Sequence, residues 1–76
     1  MSDKMACISP DGKPTALGEK ILEAAKDPRT PEEIASTLKL PLFRVRSGLR
    51  DLVEAGYLKE EHGKYMITEK GLKALE

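Results

Sequence analysis

The chain has 76 residues, enough for one small domain, and its 13 basic and 13 acidic side chains give no net charge. With 39% hydrophobic and 34% charged residues and no Trp, it favours a compact, largely helical domain over a β-sandwich or a disordered tail. No apolar run approaches the roughly 18 residues of a membrane span, and the start lacks a signal-peptide pattern. A single cysteine cannot form an internal disulfide. We therefore expect a cytoplasmic protein with no membrane partner.

The first fourteen residues contain a short apolar segment followed by a turn. Met5 to Ile8 is compatible with an edge strand, a helical turn or a tail. The sequence "SPDGKP", which begins at Ser9, has the composition of a turn rather than of a helix or strand. We predict that residues 1–14 form an N-terminal tail or short strand and that residues 15–76 form the domain.

The segment "TALGEKILEAAK" predicts the first helix. Thr15 suits the N-cap, and apolar residues follow at helical spacing. The helix is expected to end at Asp27-Pro28, because the residue before a proline avoids the helical region.

The segment "TPEEIASTLKL" predicts a second helix with a capping box. Thr30 is the cap, Pro31 occupies the first helical position, and Glu33 can return a bond to the cap. This helix is expected to stop near Leu38, and a new one to start near Pro41 or Leu42. Two helices joined by so short a turn form a helix-turn-helix.

The third helix has one apolar and one basic side. Val45, Leu49, Leu52 and Val53 fall within about 100° of arc and should face the core. Gly48 lies near the edge of that stripe, where a neighbouring helix can approach closely. Phe43, Ser47 and Arg50 lie opposite this stripe. Arg44 and Arg46 lie on its two flanks.

Charge is concentrated around this helix. Lys39, Arg44, Arg46 and Arg50 are all basic, and no acidic residue lies between the first and the last of them. The segment therefore has a net charge of +4, and the rest of the chain has a net charge of −4. An anionic partner should bind at this segment.

The rest of the chain predicts a hairpin and a last helix. Gly56 ends the third helix, and the runs "YLKEE" and "KYMIT" form strands around a tight turn at His62-Gly63. Thr68 caps a short helix that contains Leu72 and Leu75. The expected core consists of Ile21, Leu22, Ile34, Leu38, Val45, Leu49, Leu52 and Leu58.

In sequence pattern, residues 15–76 resemble the winged helix-turn-helix domains of prokaryotic transcription regulators of the MarR and ArsR type. "EEIASTLKL" resembles the second helix and turn, "VRSGLRDLVEAGYL" the third helix and its exit, and "KYMITEKGLKALE" the second wing strand and the helix after it. The resemblance implies a mainly α fold with a small β-wing: a three-helix core, a two-stranded hairpin and a short C-terminal helix. The chain departs from the pattern at Pro41, which replaces a polar cap, and at Glu60 and Glu61 in the wing.

The resemblance also implies a function in transcription regulation. Helix 42–55 would be the recognition helix in the major groove of double-stranded DNA. Arg46 and Arg50 would then contact bases or backbone, Arg44 and Lys39 phosphates, and Ser47 either. Lys64 would be the wing contact. Phe43 fits an apolar contact to a thymine methyl, or burial against the turn or a partner.

Other functions have less support in the sequence. It has no glycine-rich phosphate loop and no paired metal-ligand spacing, so we expect no enzyme, no cofactor, no metal site and no small-molecule ligand. The serious alternative is a winged-helix protein-protein adaptor in a larger complex, supported by the neutral charge, the acidic wing and the apolar pair Leu42-Phe43. A homodimer is possible, since Leu72 and Leu75 have little left to pack on.

Overall fold

The computed structural model describes residues 7–76, which measure 31 × 27 × 19 Å. Four helices and one hairpin follow in the order α1, α2, α3, β1, β2, α4. Their bounds are Ala16–Ala24, Pro31–Leu38, Leu42–Glu54, Leu58–Glu61, Lys64–Ile67 and Glu69–Ala74. The predicted fold class, mainly α with a small two-stranded wing, is confirmed.

Helix α1 begins as predicted and ends earlier. The hydroxyl of Thr15 accepts the N–H of Gly18 at 3.2 Å. The helix ends at Ala24, and Ala25 is fully buried as its C-cap. The carbonyl of Ala25 accepts the N–H of Ile67 at 2.9 Å. Contact with the second strand therefore turns the chain before Pro28 is reached.

Helix α2 has the predicted capping box. The hydroxyl of Thr30 accepts the N–H of Glu33 at 3.1 Å, and the Glu33 carboxylate accepts the N–H of Thr30 at 3.0 Å. The helix ends at Leu38, and Lys39 adopts the left-handed conformation with φ 58°. This conformation reverses the chain within a short turn, and α3 begins at Leu42 as expected.

The hairpin is hydrogen-bonded to the segment between α1 and α2. Its turn residues, His62 and Gly63, have φ of 54° and 79°, as a type I′ turn requires. The N–H of Tyr65 donates to the carbonyl of Arg29 at 2.7 Å, and the N–H of Arg29 donates back at 3.1 Å. Arg29 is thus a one-residue third strand that holds the wing against the helices.

The end of α3 is tied to the start of α4. The hydroxyl of Thr68 donates to the carbonyl of Gly56 at 2.7 Å, and its N–H donates to the carbonyl of Tyr57 at 3.0 Å. The ammonium of Lys70 donates to the carbonyl of Ala55 at 2.7 Å and lies 4.8 Å from the centre of the Tyr57 ring. These contacts give structural roles to Gly56, Tyr57 and Thr68, which lie in the segments quoted above for the resemblance.

The core matches the predicted set with one correction, at Leu38, and the predicted apolar stripe of α3 has one correction, at Val53. Leu38 is only half-buried at the edge of the core. Val53 was expected on the buried stripe but is 36% exposed, because it lies at the margin of that stripe beside the open space between α3 and the wing. The core also contains residues that were not predicted: Cys7, Ala25, Tyr57 and Ile67.

Cys7 brings the N-terminal segment into the core. Its side chain is buried, and its carbonyl accepts the N–H of Thr15 at 2.9 Å. Ile8 pairs with Pro14 across the predicted turn, whereas the start of the Met5 to Ile8 segment lies outside the described residues. Burial, with a smaller contribution from the charge of Asp51, raises the pKa of the Cys7 thiol to about 11. The thiol is therefore neutral at physiological pH.

Gly48 allows Cys7 to pack directly against α3, which leads to the first prediction. A Cβ at Gly48 would overlap the sulfur of Cys7 and lie 3.1 Å from Cδ1 of Ile21. Gly48→Ala should therefore destabilise the domain by about 1 to 3 kcal/mol in urea unfolding, despite the better helix propensity of alanine.

The same substitution in a Cys7→Ala background is the control. Removing the sulfur makes room for the new methyl group, so the cost of Gly48→Ala should be mostly abolished there. An equal loss of unfolding free energy in both backgrounds would contradict the packing argument.

Candidate nucleic-acid interface

Burial of one side of α3 sets the direction of its other side chains. Val45, Gly48, Leu49 and Leu52 are buried against α1, α2 and the wing. The opposite side is open to solvent, with Arg46, Ser47 and Arg50 exposed, Phe43 71% exposed and Arg44 half-buried. The predicted basic outer face is therefore present.

Arg46 forms an ion pair with the second helix. Its Nη2 lies 3.2 Å from Oε2 of Glu32, in the first turn of α2. The two side chains are 58% and 62% exposed, so water screens the pair. Among the described residues, Arg50 has no such partner.

Arg46 and Arg50 line one side of a concave surface between α3 and the wing. Its other lining residues are Pro31, Val53, Glu54, Glu60 and Tyr65. The cross-strand pair Glu60 and Tyr65 supplies the wing side of this surface. Two arginines thus share the surface with two carboxylates, and its charge is balanced.

Lys64 is separated from these arginines. It pairs with Glu61 across the hairpin, and the next pair on the same face is Lys59 with Met66. Side chains of successive strand residues alternate between faces, so Lys64 lies on the face opposite to Glu60. Of the predicted site residues, the structure brings the α3 residues together and places Lys64 apart.

The N-terminus of α3 offers backbone donors. Pro41 is the N-cap and makes no side-chain hydrogen bond to the first turn. Its carbonyl accepts the N–H groups of Arg44 and Val45. The helix dipole and the first N–H groups favour an anion at this end. The guanidinium of Arg44 lies 5.9 Å from the centre of the Phe43 ring, beside the same turn.

These features match a known protein family. A family model described as winged helix-turn-helix matches residues 15–76. The chain belongs to the winged helix-turn-helix family. No curated protein and no solved structure matched it. In winged helix-turn-helix terms, α2 and α3 form the helix-turn-helix and the hairpin β1-β2 is the wing.

Within residues 7–76, no helix is long and apolar enough to cross a membrane. The same part of the chain brings together no three potential ligands that could hold a metal ion.

Two acidic residues of the site were not recognised from the sequence. Glu32 lies in the first turn of α2, and nothing in the sequence around it indicates contact with a residue 14 positions later. Glu60 was noted as an acidic wing residue. Strand alternation from Leu58, which is buried, could have placed it toward α3.

Lys39 generates the second prediction, because its left-handed backbone is unfavourable for any residue with a Cβ. That conformation costs about 1 to 2 kcal/mol, whereas glycine adopts it freely. Glycine also raises the conformational entropy of the unfolded chain, which reduces the free energy of unfolding by roughly 0.4 to 1 kcal/mol. Lys39→Gly should therefore stabilise the domain by about 0.5 to 1 kcal/mol in urea unfolding.

Lys39→Ala is the matched variant, since it removes the same charge and keeps a Cβ. Its unfolding free energy should stay close to that of the parent. If both variants stabilise the domain equally, backbone conformation at Lys39 is not the cause.

Proposed function

We propose that this domain binds double-stranded DNA with α3 in the major groove and acts as a transcription regulator. The observation that supports this most strongly is the outer side of α3, where Arg46, Ser47 and Arg50 project from the helix that this fold presents to a groove. The proposed function requires no enzymatic activity and no cofactor.

The dimensions of α3 suit this role. Its 13 residues extend about 20 Å, and a major groove about 12 Å wide admits one helix. Arg46 and Arg50 are one turn apart, about 6 Å along the axis, which corresponds to roughly two base-pair steps. Guanine presents two acceptors to the groove, and the forked donors of arginine match them. We propose these two residues as base contacts, with Ser47 beside them on the same outer face.

Phosphate contacts are proposed for the margin of this face. Lys39 is exposed in the turn just before α3, and Arg44 lies on the first turn of that helix. The helix N-terminus adds backbone donors for the same phosphate. Phe43 is exposed next to them and can contact a thymine methyl. Lys64, on the far face of the wing, can reach only a phosphate outside the groove that α3 occupies.

The alternative is a protein-docking module. The exposed ring of Phe43 and the carboxylates of Glu54 and Glu60 beside Arg50 favour it, since these carboxylates repel the phosphates of DNA. We prefer DNA because the basic segment, 39–50, coincides with the turn and helix that face DNA in this fold.

The third prediction tests DNA binding directly. The parent should shift random-sequence duplex at low salt and lose affinity steeply as salt rises. After a preferred site has been selected from random duplexes, Arg46→Ala and Arg50→Ala should each cost about 1 to 3 kcal/mol on it and flatten the preference among sites. Lys39→Ala and Lys64→Ala should weaken binding to all sequences similarly. The slope of log affinity against log salt concentration should become smaller in magnitude by about one per lost phosphate contact.

Lys20→Ala is the control, because it removes one positive charge from the exposed side of α1. It should leave both affinity and slope nearly unchanged. If the arginine variants bind duplex like the parent and lose a protein partner instead, the docking function replaces the DNA-binding one.

The fourth prediction concerns a homodimer, which we propose because Leu72 on α4 is 44% exposed, whereas Leu75 packs against the core. Two copies would match two half-sites one helical turn apart. Sedimentation should show a concentration-dependent dimer, and Leu72→Glu should abolish it. Met66→Glu, on the outward face of the wing, is the control and should not. A strict monomer at high concentration, with and without duplex, would refute the dimer.

A further inference from the structure

We propose that Glu32 is a positioning residue for Arg46: its carboxylate holds the guanidinium in one orientation, so that Arg46 selects guanine instead of binding phosphate at any sequence. This inference rests on the proposed DNA-binding function and extends it to a residue outside the third helix. It starts from the 3.2 Å contact between Nη2 of Arg46 and Oε2 of Glu32.

Glu32 lies in a well-defined first turn of α2. Pro31 precedes it at the first helical position, and the capping box between Thr30 and Glu33 surrounds it. The backbone that carries Glu32 is therefore set by two hydrogen bonds and a proline ring. Its negative charge is also favoured at the positive end of the α2 dipole. The carboxylate is thus presented to α3 from a rigid point.

The contact leaves Arg46 able to bind a base. A guanidinium has five N–H donors, and the carboxylate of Glu32 engages one of them. Bidentate recognition of guanine needs only two of the others. An arginine already held in place loses less rotamer freedom on binding than an unpaired one such as Arg50.

The same carboxylate disfavours phosphate. A phosphate brought to Arg46 would also come close to Glu32, and like charges at short range repel. A guanine edge is uncharged and offers only acceptors, so it meets no such penalty. Glu32 is therefore expected to lower the affinity for DNA of any sequence. It should at the same time raise the difference in affinity between the preferred site and other sequences.

Stability does not account for the pair. Both side chains are more than half exposed, and exposed ion pairs contribute little to folding. Glu32→Gln should consequently lower the thermal midpoint only slightly, through the lost interaction with the α2 dipole, which separates a role in selectivity from a structural one.

The fifth prediction compares Glu32→Gln with the parent on two duplexes: the preferred site selected by the parent, and the same site with its guanines replaced at the positions that depend on Arg46. The variant should bind the replaced duplex several-fold more tightly than the parent does, with a steeper salt slope. Its discrimination between the two duplexes should fall five- to tenfold, toward that of Arg46→Ala.

Two further variants make the test specific. Glu23→Gln removes an exposed carboxylate from α1 and should keep the parental discrimination. In an Arg46→Ala background, Glu32→Gln should change discrimination no further, because Glu32 acts only through that arginine.

The outcomes separate this inference from the proposed function. If the parent binds no duplex at low salt, DNA binding fails and the positioning role falls with it. If the parent binds DNA and Glu32→Gln keeps the parental discrimination, the positioning role is overturned and DNA binding stands. A loss of discrimination in Glu32→Gln that persists in the Arg46→Ala background would likewise overturn it.

Discussion

Burial of one side of α3 is the constraint on which the rest of the structure depends. Val45, Leu49 and Leu52 are fully buried, and Gly48 lies against Cys7 with no space for a side chain. Rotation of the helix about its axis would expose these residues and bring charged groups toward the core, where an unpaired charge is costly. The direction of the arginines therefore follows from the apolar residues between them, and α3 can present only one face.

The wing depends on the same core. A two-stranded hairpin is marginal on its own in water, and this one has four residues in each strand. It is held by the paired bonds between Tyr65 and Arg29, by the bond from Ile67 to Ala25, and by the burial of Leu58 and Ile67. The backbone at Glu60 consequently has a fixed position beside α3, and the charge of the concave surface follows from the fold.

The sequence predicted those features that neighbouring residues determine. The caps at Thr15, Thr30 and Thr68, the His62-Gly63 turn and the α3 stripe all depend on residues a few positions apart, and each was confirmed, apart from Val53 at the edge of the stripe. The features that escaped prediction join distant parts of the chain. Cys7 meets α3 through its packing on Gly48, and Glu32 meets Arg46 across two helices. Local patterns carry no signal for such contacts, and so the basic face was predictable and its carboxylate partner was not.

On the proposed function, the small size of the domain limits how much sequence information one copy can extract from DNA. Its longest dimension, 31 Å, corresponds to about nine base pairs of duplex. A single recognition helix contacts only about three or four of these through base edges. A sequence of three or four base pairs recurs by chance about every 60 to 260 base pairs, and a genome offers a vast excess of competing sites. A regulated gene must therefore be distinguished by the number and spacing of such short sites. Occupancy of a single site would contribute little to specificity.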